Sequence, residues 1–374
     1  MKIVYCIAGL YNSGGMERVL SIKANYLVDR GYNITIITTD QDCKKPFFNL
    51  DPRIHLIDLG INYNRTSSSI FLKFIQYLIK QIQHKRLLKQ ILNSLKADVV
   101  ISMFDHEVSI LSNINDGSKK VLEIHFSRFK RLQYGRRGVW NIIDRMRSYN
   151  DLLLARKYDK FVVLTEEDRL NWKGLTNIVT ISNPNSFETK HYASLKNKRV
   201  IAVGRLDNQK SFSELIYAWS YLDSKFSDWR LHIYGSGPMK TELHQLIESL
   251  KLQDNITIEE PIKNIKEKYL ESSILVMTSK YEGLPMALLE GQVCGLPLIS
   301  YECKCGPKDI ISDGVNGYLI EEGNVAMLSE KMEILMSNLH LRREMGFNSI
   351  NMSQKFSIDT IMSKWVSLFH NLYK

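Results

Sequence analysis

A chain of 374 residues is long for one hydrophobic core, so two domains are expected, and an apolar share of 44% without low-complexity tracts excludes a disordered protein. No run of about 18 apolar residues occurs, which excludes an ordinary membrane-spanning helix and makes a cytoplasmic protein the expectation. The formal charge of +10 is uneven: no acid lies between Gly60 and Ala97, where Arg65, Lys73, Lys80, Lys85, Arg86, Lys89 and Lys96 occur. A second basic stretch holds Arg128, Lys130, Arg131, Arg136, Arg137, Arg145 and Arg147. Such stretches suit nucleic acid, an anionic membrane or an anionic substrate. The five cysteines have neither zinc-ligand spacing nor a disulfide pattern, so reduced thiols and no metal are expected.

The opening MKIVYCIAGL is too short for a leader's apolar core and stops at Asn12-Ser13-Gly14-Gly15, so it reads as a buried parallel strand over residues 2–8. A helix over 16–30 follows, then strands at 33–39 and 54–59, a long helix at 70–95, and strands at 98–102, 119–125, 160–165 and 177–182. Asn183-Pro184-Asn185 breaks this alternation. It restarts with strands at 199–204, 230–234, 255–259, 273–278 and 296–300, and helices at 212–222, 239–250, 285–293 and 325–338. A last helical pattern covers 359–372. Strand–helix alternation implies parallel sheets covered on both faces, and two runs imply an α/β protein with two Rossmann-like domains facing a central cleft. The expected divisions are 1–184, a linker at 185–198, 199–355, and a C-terminal helix at 356–374.

The segment Gly9-Leu-Tyr-Asn-Ser-Gly14-Gly15 lacks the Lys-Ser/Thr of a P-loop, and Gly-x-Gly-x-x-Gly is absent there and at Gly235-Ser236-Gly237. What remains at Gly14-Gly15 is a strand-to-helix turn where backbone can approach a ligand, or a turn needed only for packing. Arg205 and Lys210, in Gly204-Arg-Leu-Asp-Asn-Gln-Lys, follow an apolar strand directly, and a planar fork beside a flexible ammonium suits a diphosphate. Glu282-Gly283-Leu284-Pro285 precedes a helix, with Pro285 expected at its first position and Glu290 further inside. Eight helical residues span roughly 12 Å, too far for the ~5–9.5 Å carboxylate pairs of glycosidases. The two glutamates therefore suit two points on an extended polyol ligand, or else a capping carboxylate and an exposed one.

Taken together, Glu282-x7-Glu290, Gly-Arg-Leu-Asp…Lys210, Gly-Gly-Met-Glu17, Tyr234-Gly-Ser-Gly-Pro238 and Cys305-Gly-Pro-Lys-Asp-Ile-Ile311 with Asp313-Gly-Val-Asn-Gly317 resemble retaining glycosyltransferase family 4 of the GT-B class, in family order over nearly the whole chain. The resemblance implies transfer of a hexose or N-acetylhexosamine from a nucleotide-diphosphate sugar, weighted to UDP, without a cofactor or metal. It implies that Arg205 and Lys210 hold the diphosphate, Glu282 the transferred sugar or its adjoining phosphate, and Glu290 the ribose. Gly204, Gly235, Gly283, Leu284, Pro285 and Met286 complete the donor site, and Gly14 and Gly15 close against the same diphosphate. His125, at the end of its strand, matches a family position beside the reaction centre. The implied acceptor is a glycan, in the lipid-linked case carried on a polyprenyl diphosphate held by Arg128 and Arg131, with Glu17 nearby. The alternatives are a nucleotide-sugar epimerase of the same fold and a glycosyltransferase with a soluble or protein acceptor; nucleic acid is disfavoured, because no aromatic–basic recognition motif occurs. Phe71, Phe74, Ile75, Leu78 and Ile82 share one face of the long basic helix, which fits peripheral docking on an anionic inner-membrane surface and equally a helix packed on the sheet.

Overall fold

The computed structural model describes residues 1–65, 69–128, 130–132, 138–222 and 224–373. The chain forms two compact units, Met1–Ser182 with Met362–Lys374, and Asn183–Ile361. In the first, strands β1 (Lys2–Ile7), β2 (Asn33–Thr38), β3 (His55–Asp58), β4 (Val99–Ser102), β5 (Lys119–Glu123), β6 (Lys160–Val163) and β7 (Ile178–Thr180) make a parallel sheet in the order β3-β2-β1-β4-β5-β6-β7. Helices α1 (Gly15–Asp29), α2 (Ile70–Leu95), α3 (Val108–Leu111), α4 (Val139–Ala155) and α5 (Glu166–Asn171) connect them. Helices cover both faces of such a sheet, so β1 and β2 are buried after their first residues and read as apolar runs, whereas edge strand β3 is largely exposed.

The second unit repeats the plan. Strands β8 (Arg199–Val203), β9 (Arg230–Tyr234), β10 (Ile256–Glu259), β11 (Ile274–Met277), β12 (Leu298–Tyr301) and β13 (Gly317–Ile320) are parallel in the order β10-β9-β8-β11-β12-β13. Its helices are α6 (Phe212–Ser220), α7 (Lys240–Ser249), α8 (Ile265–Leu270), α9 (Met286–Val293), α10 (Pro307–Ile310), α11 (Val325–Ser337) and α12 (Leu339–Ser353). Helix α13 (Ile358–Tyr373) ends the chain, and from Met362 it belongs to the first unit.

Three expectations are adjusted. Strand β12 starts at Leu298 rather than at residue 296, because the Leu296 N–H donates to Gly291 O at the end of α9 and Pro297 has no N–H. Strand β13 and helix α12 were not anticipated, and the connecting helices α3, α4, α5, α8 and α10 were given no bounds. The polar stretch 185–198 lies against the second unit: the Asn185 N–H donates to Phe356 O, the Ala193 N–H to Cys294 O, and Arg342 Nε to Leu195 O.

Gly235 and Gly237 let the loops beyond β8 and β9 approach backbone to backbone. A Cβ on Gly235 would lie 1.9 Å from Gly204 O, a backbone atom with no room to retreat. Gly235→Ala is therefore expected to cost about 1–3 kcal/mol, as overpacking does, seen as a lowered Tm. An unchanged Tm would show that this contact relaxes freely.

Candidate active site

Ligands of open parallel sheets bind beyond the carboxyl ends of the strands where neighbouring connections depart in opposite directions. In the second unit that point lies between β8 and β11, which are paired through Ile274–Val200 and Leu275–Ile201. The loop after β8 carries Arg205 and Lys210; the loop after β11 carries Glu282. Lys210 Nζ meets Glu282 Oε1 at 2.5 Å, both side chains largely buried. Gly204 makes this path available, since the Lys210 stem lies 3.1 Å from where a Gly204 Cβ would stand. Backbone ties hold the two loops in register: the Lys280 N–H donates to Gln209 O, Gln209 Nε2 to Tyr281 O at 2.8 Å, and Thr278 Oγ1 to Lys210 O at 2.9 Å. Asp207 Oδ1 accepts from the Lys210 N–H, fixing the turn that aims the lysine. Arg205 is the exposed member, with its Nε 3.6 Å from Asp207 Oδ2.

Pro285 caps α9 in an extended conformation instead of occupying its first helical position, and its carbonyl accepts from the Leu288 and Leu289 N–H groups. The first N–H groups of α9 have no carbonyl one turn back, so a partial positive charge gathers at Met286, beside Gly283, Leu284 and Glu282. Glu290 sits in the second turn, 4% exposed, apart from the Lys210 pair. Its Oε1 accepts from Ser186 Oγ at 2.5 Å and its Oε2 from Tyr269 OH at 2.9 Å. Each oxygen of the carboxylate thus accepts from a protein hydroxyl, which fixes the plane of the group.

In the first unit the equivalent divergence lies between β1 and β4. Gly14 caps α1 and Gly15 begins it, as expected for a strand-to-helix turn. Glu17 folds back over Gly14: its Oε2 lies 2.3 Å from where a Gly14 Cβ would be, so only glycine fits while that carboxylate stays in place. Burial raises the Glu17 pKa. Asp105, beyond β4, accepts from the Ala8 N–H through Oδ2 at 2.8 Å and joins the two loops.

His125 follows β5 and shares a strand face with Glu123, whose Oε1 lies 3.1 Å from His125 Nε2. Glu123 Oε2 meets Lys23 Nζ of α1 at 2.5 Å, with both side chains buried. The Lys23 ammonium in turn lies 3.4 Å from the Trp365 ring centroid on α13. Burial disfavours both charges, yet Lys23 and His125 hold the Glu123 carboxyl down at about 2, while burial pulls Lys23 down to about 8 against the pull of Glu123.

Arg128 and Arg131 are engaged within the unit. Arg128 bonds Ser148 Oγ through Nη1 and stacks 4.5 Å over Trp172, and Arg131 forks onto Asp151 at 2.8 and 3.2 Å. A diphosphate at these arginines has to displace those partners. Arg136 and Arg137 lie outside the described residues.

Residues 185–352, which include the β8/β11 divergence and α9, match the family model for glycosyl transferases group 1. The chain is 30% identical over 371 residues to an uncharacterized glycosyltransferase of Haemophilus influenzae, covering 97% of this chain and 98% of that one. It belongs to the group 1 glycosyltransferases. This glycosyltransferase is also 26% identical to the GalNAc-alpha-(1->4)-GalNAc-alpha-(1->3)-diNAcBac-PP-undecaprenol alpha-1,4-N-acetyl-D-galactosaminyltransferase of Campylobacter jejuni, over 98% of both chains. In fold it is similar to a mutant of Staphylococcus aureus TarM solved with fondaparinux, alpha-GlcNAc-glycerol and UDP, with a TM-score of 0.81 and 19% identity, covering 98% of this chain and 99% of that one. The α/β architecture is thus GT-B, and the family assignment decides for a transferase over an epimerase.

Sequence reasoning missed Ser186 and Tyr269 beside Glu290, Asp105, and the Lys23 support under His125. The one available signal was Glu123 itself, an acid inside the otherwise apolar end of β5 and two residues from His125.

Proposed function

We propose that this group 1 glycosyltransferase moves a hexose or N-acetylhexosamine from a UDP sugar, with retention of anomeric configuration and without a metal, to a polyprenyl-diphosphate-linked glycan in cell-surface glycoconjugate synthesis. The observation that carries the reading is the Lys210–Glu282 pair at the mouth of the β8/β11 divergence, beside the start of α9. Lys210 and Arg205 supply positive charge for a leaving diphosphate, and the first N–H groups of α9 add to it. Glu282, already held by Lys210, presents its carboxylate to hydroxyls of the transferred sugar. Glu290 takes the ribose hydroxyls. In the step itself the bond from the anomeric carbon to the diphosphate breaks, the acceptor oxygen bonds that carbon on the same face, and its proton passes to the leaving phosphate oxygen. The undecaprenol-linked acceptor in the name of the Campylobacter relative and the UDP bound by TarM support the choice of substrates.

A thermal-shift panel of uridine and guanosine diphosphate sugars, followed by NMR of the product anomer, tests this reading. The expected result is selective stabilisation by a UDP sugar and a product that keeps the donor's configuration; an inverted product overturns it. Tyr269→Phe removes one donor to Glu290, and a net hydrogen bond is worth about 0.5–1.5 kcal/mol. Donor Kd should therefore rise several-fold with kcat little changed, and Glu290→Ala should weaken donor binding further. Unchanged donor affinity in Glu290→Ala would remove Glu290 from the ribose site.

A further inference from the structure

Two helices of the first unit are inside out. In the first four turns of α2 three polar residues face inward while Lys73 and Gln83 stay exposed: Lys80 Nζ donates to Asn62 O and Arg65 O at 2.6 Å each, Gln81 Nε2 to Tyr63 OH at 3.0 Å, and buried His84 pairs with Tyr63 OH. Its apolar residues face outward, with Phe71 and Ile82 each 71% exposed and Phe74 and Leu78 between them. Among its described side chains, α2 buries apolar ones only from Leu88 onward.

Helix α4 repeats the inversion. Its two carboxylates, Asp144 and Asp151, are buried, Asp151 against Arg131, and Ser148 turns inward to Arg128. Its outer face carries Val139, Trp140, Ile142, Met146 and Tyr149, with Met146 67% exposed. A surface helix ordinarily does the reverse, and an isolated exposed leucine would need no explanation, whereas a contiguous apolar face does.

The two helices lie on the same side of the sheet. Leu88 and Leu92 of α2 join Ala155 of α4 in one core cluster, so the C-terminal halves of both helices pack in the same layer. Both are crossovers between parallel strands and therefore run back against them, which puts both N-terminal halves at the carboxyl edge of the sheet, where His125 follows β5. Charge selects the occupant. Helix α2 has no acidic residue and exposes Lys73, Lys85, Arg86 and Lys89; α4 exposes Arg145 and Arg147 and buries both its acids.

We propose that the outward faces of the N-terminal halves of α2 and α4 form one surface that docks on an anionic lipid bilayer, at the sheet edge that carries His125. Aromatic and aliphatic side chains enter the headgroup boundary while the flanking cations meet lipid phosphates. The proposal rests on the lipid-linked acceptor reading and gives it a physical location: the enzyme meets a polyprenyl-linked glycan on the surface that holds the lipid.

The test is co-sedimentation of the full chain with vesicles of phosphatidylcholine alone or mixed with a quarter phosphatidylglycerol. Binding is expected to the anionic vesicles and to weaken with added salt. Phe74→Ser with Ile82→Ser, and separately Trp140→Ser with Met146→Ser, should each lower vesicle partitioning about ten-fold, on the scale set by burying apolar side chains. The thermal shift given by the UDP sugar should be unchanged in both variants, which confirms folding and separates this proposal from the donor reading. Equal binding to neutral and anionic vesicles, or wild-type binding by the α4 variant, overturns it. A wild-type dimer in sedimentation velocity that both variants dissociate also overturns it, by assigning the face to a second copy.

Discussion

Lys210→Ala is expected to lower kcat by about 10²–10³, the loss typical of removing one preorganised charge-stabilising group. Two effects act in the same direction. The ammonium no longer meets the charge developing on the leaving diphosphate, and Glu282, 10% exposed at its side chain, is left as an unpaired carboxylate beside it. Lys210→Arg keeps the charge but not the path, because the stem runs tightly across Gly204 and a planar fork needs more room than an ammonium. Its rate should fall between those of wild type and Lys210→Ala. Glu282→Gln separates the roles of the pair: the nucleotide diphosphate alone should bind at least as tightly once its competitor for Lys210 is neutral, while kcat falls because the sugar loses its acceptor. Steady-state kinetics and calorimetry with UDP measure both. A Lys210→Ala enzyme within five-fold of wild type (roughly 1 kcal/mol) would sink the assignment.

Lys23→Met is expected to destabilise the protein by about 3–5 kcal/mol, the cost of leaving a buried charge without its partner. Replacing Lys23 and Glu123 together by apolar residues should recover most of that loss, since desolvating two charges offsets much of what their pairing contributes. The pH dependence supplies a second signature. In wild type the Glu123 carboxyl is held at about 2, below its ordinary 4.5, so its contribution is complete above pH 4.5 and is lost as pH falls toward 2. Without Lys23, burial dominates and moves the carboxyl above 4.5, so the folded state keeps a proton that the unfolded state releases. The contribution of Glu123 in the variant is then greatest in acid and declines as pH rises past 4.5. Urea melts of both proteins between pH 3 and 8 measure the two slopes, and parallel curves would count against a buried charged pair. Because Glu123 also faces His125 at 3.1 Å, Lys23→Met should lower kcat and leave donor KM near wild type. Lys23→Arg should restore part of the rate.

The C-terminal helix enters the same account. Trp365 covers the Lys23 ammonium at 3.4 Å, a cation–π contact with a fully buried side chain. Helix α13 therefore supports a residue one hundred positions downstream of Lys23, the distance in sequence that separates Lys23 from Glu123.

Parallel strands buried on both faces are continuous apolar runs, so most strand positions and the full span of α2 could be read from the chain to within two residues. Strand β13 could not: it is four residues long, half of them only partly buried, and it follows a cluster of turn residues. Helix α12 was equally hidden, because its apolar residues do not segregate to one side. The site divides in the same way. Each candidate group could be placed at the carboxyl end of a strand because that depends only on local order along the chain: Arg205 and Lys210 after β8, Glu282 after β11, His125 after β5.

What residue order determined about this protein is its two parallel α/β units, its group 1 family and the loops that carry the candidate residues, since periodicity and turn residues act over short stretches of chain. Which groups meet was decided by strand order. Lys210 reaches Glu282, 72 residues away, because β8 and β11 are neighbours, and Lys23 of α1 reaches Glu123 at the end of β5 across 100 residues. Tertiary structure alone also decided which side of α2 and α4 faces outward. A hydrophobic period records that polar and apolar residues are segregated, and only the packing of Asp151 on Arg131 and of Lys80 on the Asn62 carbonyl turns the apolar side to solvent.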